Sequence, residues 1–141
     1  MKLLIDTNVV LDILLRRELY YKNAAKIAVL SEKSHINCYV SASAVTDVYY
    51  IAYKELKNKG AAIDLLKKLF NAFRIATVSE ASIYEALDLE WDDFEDCVQY
   101  TVGRNVNVDY IITRNPKDFD KSQIDVISPE AFLDMVITQR D

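Results

Sequence analysis

Short, uninterrupted apolar runs alternate with stretches of helical periodicity along the whole chain. Lys2 to Ile5, Ile36 to Val40, Arg74 to Val78, Asp109 to Thr113 and Asp125 to Ile127 read as strands, bounded by polar or turn-forming residues. Thr7 or Asn8 starts a short helix through Leu15. A second helix runs from about Tyr20 to Ser31, with Ala24, Ile27, Ala28 and Leu30 at helical spacing. Ser41 or Ser43 offers an N-cap for a long helix to about Lys59. Gly60 separates it from Ala61 to Ala72, where Ile63, Leu66, Leu69, Phe70 and Phe73 keep the period. Ser79 caps a helix reaching about Leu89, and Asp92 or Asp93 opens another that ends near Gly103. Asn115-Pro116 stops the fourth strand, and Ser128-Pro129-Glu130 begins a terminal helix with proline in its first turn. Continuously apolar strands that alternate with helices pack as a parallel sheet covered on both faces. With no repeat, linker or low-complexity stretch, a single α/β domain over residues 1–141 is predicted.

Composition narrows the chemistry more than the fold. At 51% hydrophobic and 28% charged residues the chain builds a packed core, and roughly 70% of its unfolded surface is buried at this size. No apolar run approaches the ~18 residues of a membrane span. Lys2 is followed at once by a strand carrying Asp6, which is not a signal-peptide pattern, so a cytoplasmic location is expected. Gly60 and Gly103 are the only glycines, too few for a P-loop or a dinucleotide fingerprint. One histidine, His35, and two distant cysteines, Cys38 and Cys97, cannot form a structural zinc cluster. The cysteines read as small buried hydrophobes, and His35, in a polar turn, as a surface residue rather than a member of a Ser/His/Asp triad. An enzyme built on this chain therefore works mainly with oxygen ligands. The net charge of −5 argues against generic nucleic-acid coating, but not against a nuclease, because bound divalent cations invert the field of an acidic site.

Four places put a carboxylate where such a sheet opens, the edge at which ligands bind. The first is Asp6, at the end of the first strand, which serves either as a cap for the next helix or as a ligand. The second is Asp47, on a helix apolar on most sides, where a buried acid needs a partner: an ion pair with arginine, or a site. The third is Asp92-Asp93-Phe94-Glu95-Asp96. Capping and the helix dipole account for Asp92, Asp93 and Glu95, while Asp96 lies deeper, three residues after Asp93 and able to share its face. The fourth is Thr113-Arg114-Asn115-Pro116-Lys117-Asp118-Phe119, a polar turn or a source of a hydroxyl, an amide and a carboxylate. Jointly they bring Asp6, Asp47, Asp96 and Asn115 or Asp118 to one sheet edge, a donor set suited to Mg²⁺ or Mn²⁺.

Across essentially its full length the chain resembles the PIN-domain family, and within it the VapC-like ribonucleases of toxin–antitoxin pairs. The resemblance rests on Leu4-Ile5-Asp6-Thr7-Asn8, on the helix with Thr46-Asp47, on Asp93-Phe94-Glu95-Asp96-Cys97-Val98-Gln99-Tyr100, and on Ile112-Thr113-Arg114-Asn115-Pro116-Lys117-Asp118-Phe119. It implies an α/β/α sandwich around a mostly parallel sheet of about five strands, metal-dependent cleavage of RNA, and a homodimer. Asp6 and Asp96 match the family's metal-binding aspartates. Asp47 falls where the family usually has glutamate, and Asn115 where many members have aspartate, leaving Asp118 as the acid of that motif. Both are departures. The first shortens a side chain by one methylene, and the second removes a negative charge.

The expectation is metal-assisted phosphodiester hydrolysis. Asp6 and Asp96 would hold the first Mg²⁺ or Mn²⁺, with Asp47 directly or through water, and Asp118 with Asn115 would assist a second. Thr7, Asn8, Asp93 and Thr113 would orient these groups. Arg16, Arg17, Lys54, Arg104 and Arg114 are candidates for the RNA backbone, and Asp12 either joins the site or faces solvent. Tyr49, Tyr50 and Tyr53, on a helix read as buried, suit core packing or a dimer face more than base stacking. An antitoxin protein is a further expected partner. The departures motivate an alternative, a non-catalytic PIN-like module that binds RNA or protein. Another alternative is a phosphotransfer enzyme with Asp6 as nucleophile, since strand-Asp-x-Asn resembles the haloacid-dehalogenase phosphatases.

Overall fold

The computed structural model describes residues 1–33 and 35–140, the last two as helix backbone only. Five strands, β1 (Lys2–Ile5), β2 (Asn37–Ser41), β3 (Arg74–Ala76), β4 (Tyr110–Ile112) and β5 (Asp125–Ile127), form one sheet in the order β3-β2-β1-β4-β5. Every pairing is parallel. The helices are α1 (Thr7–Leu14), α2 (Tyr21–Lys33), α3 (Ala42–Leu56), α4 (Lys59–Ala72), α5 (Glu80–Leu89), α6 (Phe94–Val106) and α7 (Pro129–Arg140), with a 3₁₀ turn at Pro116–Phe119. Among the described residues no helix is long and apolar enough to cross a membrane.

The period-2 alternation of β1 sorts the layers. Leu3 and Ile5 pack into a core with residues of α1, α2, α3, α4 and α7. Leu4 points the other way, into a cluster with Tyr100 of α6, Ile111 and Phe119. A third cluster joins Ala76 to Ala86 of α5 and Cys97, Val98 and Val102 of α6. The result is an α/β/α sandwich, as the sequence predicts. From β1 the chain proceeds outward to β2 and β3, then returns to place β4 on the other flank. The sheet's order therefore reverses beside β1, and the crevice at the carboxyl ends of β1 and β4 is where open α/β sheets bind ligands.

Three local readings need correction. The break after α3 is not made by Gly60. Lys57 takes the left-handed conformation (φ 54°), and Asn58 caps α4 by accepting from the Ala61 N–H at 3.0 Å, so Gly60 lies inside that helix. Helix α6 does not stop at Gly103 but runs to Val106 and turns at Asn107 (φ 64°). Gly103 serves close approach instead, since a Cβ there would lie 3.1 Å from Val108 and 3.4 Å from Leu4. Helix α3, read as buried, is buried only along Ala44, Val48 and Ala52, while Tyr50 is 67% exposed and Ile51 and Tyr53 are exposed beside it.

The tightness at Gly103 makes a specific prediction. Gly103→Val, which adds two methyls beyond an already crowded Cβ, costs about 2 kcal/mol by overpacking. Gly103→Ala costs less, because helix propensity offsets part of the strain. Urea denaturation of the two variants measures the difference.

Candidate active site

Asp6 leaves β1 with extended backbone (φ −68°, ψ 154°) and caps α1, its Oδ1 accepting from the Thr7 N–H at 2.7 Å. The same oxygen accepts from Gln99 Nε2 at 2.9 Å. Its Oδ2 accepts from Thr113 Oγ1 at 2.7 Å and from Asn8 Nδ2 at 3.2 Å. A carboxylate offers about four lone-pair positions, and all are met. Capping and site geometry therefore coincide at Asp6. Thr113 is itself fixed, its Oγ1 accepting from Asn8 Nδ2 at 3.3 Å and from the Asn115 N–H at 3.2 Å.

Around Asp6 opens a cleft of about 530 Å³ that five further acids line: Asp47, Asp93, Glu95, Asp96 and Asp118. Asp47 comes from the middle of α3, and Asp118 from the 3₁₀ turn after β4. Asp93 is the N-cap of α6, accepting from the Asp96 N–H at 2.9 Å, so Asp93 rather than Asp92 opens the helix. Burial, followed by the charges of Asp6, Asp93 and Asp118, pushes Asp96 up to about 7. Glu95 is likewise pushed up to about 7, first by a hydrogen bond shared with Asp47, then by burial and by the charges of Asp47, Asp93 and Asp96. Glu95 and Asp96 therefore keep a share of their protons at neutral pH.

Two polar residues of this cleft, Glu95 and Gln99, escape the sequence reading. Capping alone accounts for Glu95 in the sequence, and nothing in its spacing shows that it turns toward α3. Gln99 did carry a signal: it lies three residues after Asp96, hence on the same face, and is polar within an otherwise apolar stretch. It is 1% exposed, and its Oε1 has no hydrogen-bond partner. The Thr7 hydroxyl is also buried without a partner, and both residues line the cleft. Buried oxygens left unpaired are costly unless a ligand or water meets them. Crowded carboxylates together with orphaned oxygens fit a hard divalent cation. Among the described residues no three acids stand as a ready-made ligand set; Glu95 and Asp118 are exposed, while Asp93 is tied to the start of α6 as its cap.

Asn115 is not among the residues lining the cleft. It lines a separate cavity of about 290 Å³ with Tyr20 and Arg114. Arg114 turns inward, its Nε donating to Asp12 Oδ2 at 2.8 Å and its guanidinium lying 4.0 Å from the Tyr20 ring centroid. Asp12 is fully buried, so it neither lines the cleft nor faces solvent. Its carboxyl is pushed up by burial, against the opposing pull of Arg114 and Arg17. Of the five candidate RNA cations only Arg17 lines the cleft, while also lying 3.7 Å from Asp12 and 3.6 Å from Glu55. Arg104 is paired with Glu85 at 2.6 Å, Arg16 packs over Tyr21, and Lys54 is exposed in the last turn of α3. Tyr50 and Ile51 stand on the cleft rim instead of in the core. Cys38 is buried and its thiol is pushed up to about 12, in keeping with a packing role.

A parallel sheet with acids gathered at its switch point defines a class, and comparison with known proteins gives it a family. The model of the PIN domain matches residues 2–117, and the chain belongs to the PIN-domain family. Ribonuclease VapC1 of Aquifex aeolicus (strain VF5) is 26% identical over 138 residues, covering 94% of each chain. Solved structures share the fold, and two serve as examples. One is VapBC2 from Rickettsia felis bound to a DNA fragment from their promoter, with a TM-score of 0.70, 14% identity, and coverage of 91% of this chain and 98% of that one. The other is a toxin–antitoxin complex from Klebsiella pneumoniae, with a TM-score of 0.67, 20% identity, and coverage of 89% and 96%.

Two measurements follow from this electrostatic arrangement. Asp12→Ala leaves the Arg114 guanidinium without its buried partner and costs about 3 kcal/mol in urea unfolding. Asp96 and Glu95 keep protons in the folded state up to about pH 7, whereas the unfolded chain has lost them near pH 4. The folded form binds more protons in that window, so stability declines with rising pH. In EDTA the melting temperature falls as pH rises from about 5 through about 8, and Asp96→Asn flattens the slope.

Proposed function

We propose that this PIN-domain protein is a metal-dependent endoribonuclease, the toxin of a toxin–antitoxin pair. The observation that carries the reading is the convergence of six carboxylates at the switch point of the sheet, two of them pushed up to about 7. The likeness to Ribonuclease VapC1 over nearly the whole chain supports it. Asp6, Asp96 and Asp118 would hold Mg²⁺ or Mn²⁺, with the Asp47–Glu95 pair completing the set. When bound, the ion supplies a water of lowered pKa and offsets charge developing on the phosphoryl group.

The chain's own residues do the rest. The four hydrogen bonds to Asp6 hold its carboxylate plane fixed. Glu95 compensates for the short reach of Asp47 through the hydrogen bond they share. Arg17 on the cleft wall meets a phosphate oxygen, and Tyr50 and Ile51 on the rim meet the sugar or base. Asn115 contributes through its backbone N–H, which helps fix Thr113. An antitoxin protein, a homodimeric assembly and a cytoplasmic location belong to the same proposal, the first supported by likeness to the Klebsiella toxin–antitoxin complex.

One observation favours a second reading, a non-catalytic module that binds RNA or protein: all lone-pair positions of Asp6 are already taken. Cleavage of single-stranded RNA by the purified protein separates the two. The nuclease reading expects turnover with Mn²⁺, none in EDTA, and a loss of more than about a hundredfold in Asp6→Asn. It also expects Gln99→Ala to weaken Mn²⁺ affinity by about 10- to 100-fold. Equal cleavage by wild type and Asp6→Asn sinks it, and RNA binding in EDTA without metal-dependent turnover supports the module.

A further inference from the structure

A second cavity of about 260 Å³ adjoins the cleft and shares Asp93, Asp96 and Asp118 with it. Beyond those shared acids it is walled by Trp91, Lys117 and Lys121 together with Asp92 and Asp120. Trp91 is the chain's only tryptophan and is half-buried. Its ring stacks on the buried Tyr100 at 4.8 Å and meets Phe119 edge-on at 6.1 Å, so its position is fixed by packing. Phe119, 2% exposed, anchors the turn that carries Lys117 and Asp118. Neither Lys117 nor Lys121 makes an ion pair among the described residues, and both are exposed.

We infer that this cavity is a subsite for one unpaired nucleotide next to the scissile phosphate, with its base against Trp91 and a flanking phosphate on Lys117 and Lys121. The inference rests on the ribonuclease reading, because the shared acids make the cavity a continuation of the cleft that a bound strand must enter. The volume lies just below the ~300 Å³ at which ligand pockets begin, which suits one nucleoside and not a folded segment. An indole beside free cations is the combination that binds single strands without reading sequence. The cavity's negative charge does not forbid an anion. A divalent cation on Asp96 and Asp118 would offset the charge of those two, leaving Asp92, Asp93 and Asp120 against Lys117 and Lys121, a net of one negative charge. Those lysines also work against a cationic peptide, the other partner an acidic pocket attracts.

Trp91 reports its own site. The 141-residue chain in Mg²⁺ is titrated with a nucleoside 5′-monophosphate, which has no phosphodiester to cleave, and with a short single-stranded RNA, while tryptophan fluorescence is followed. Saturable quenching by both is expected. By anisotropy of labelled RNA, the Lys117→Ala/Lys121→Ala double variant binds about tenfold more weakly, and Trp91→Ala about 10- to 100-fold more weakly. Trp91→Phe, which keeps a ring, retains most of the affinity and guards against a folding defect in Trp91→Ala. RNA that binds by anisotropy while Trp91 stays silent overturns the subsite. So does quenching by an arginine-rich peptide but not by RNA, which would make the cavity a cation site. Cleavage of RNA with a silent Trp91 leaves the nuclease standing without the subsite. Quenching by RNA without cleavage leaves the subsite standing without the nuclease.

Discussion

The carboxylate of Asp6 is held by donors from the start of α1, from the middle of α6 and from the strand end of β4. These donors lie up to 107 positions away in the chain, and each belongs to an element that packs on β1 for its own apolar reasons. The backbone adds to the lock, since the Asp6 N–H donates to the Ile112 carbonyl at 2.9 Å. Position in the sheet thus sets the position of the acid, and the acid draws the three elements into one registry. Shifting any of them would leave a buried charge short of a partner, which a protein of ordinary stability tolerates poorly.

Against that buried point the other acids are more open to solvent. Asp47 is half-buried, and Asp93, Glu95 and Asp118 are exposed. Their mutual repulsion is a cost that the fold carries in order to keep them near one another, relieved in part by protons on Asp96 and Glu95. A fixed anchor with adaptable partners suits the proposed function, in which the site would meet both an ion and a polyanion. The pair of Asp12 and Arg114 contributes at a distance, fastening the loop after β4 to α1 without reaching the cleft.

Much of this was legible in the residues. Continuous apolar runs and well-placed caps gave the parallel sheet and most helix starts, because period and capping are local properties. Asp6 stood out because a buried strand ending in a carboxylate is rare without a reason. What stayed hidden depends on side-chain direction across elements. Glu95 looked like a first-turn acid, and its bond to Asp47 exists only because α3 passes beside α6. Asn115 looked like a ligand by position, yet it lines the cavity with Tyr20 and Arg114 instead of the cleft. Gly103 and Gly60 looked like helix breakers, since close approach to Leu4 and Val108 leaves no local trace. Trp91 had no neighbouring pattern to give it meaning until its stacking on Tyr100 was seen.

The order of strands has a consequence for how the cleft comes into being. β1 is made first but stays unpaired on one flank until β4 is available, and Thr113 follows Asp6 by 107 positions. At synthesis rates of about 5–20 residues per second this interval is on the order of 5–20 s. During it the central strand has only β2 beside it, and Asp6 lacks its tightest side-chain donor. A chain that stops before Asp118 lacks part of the cleft's lining. Whatever chemistry the acids perform is therefore switched on by the arrival of the fourth strand, late in the making of the molecule.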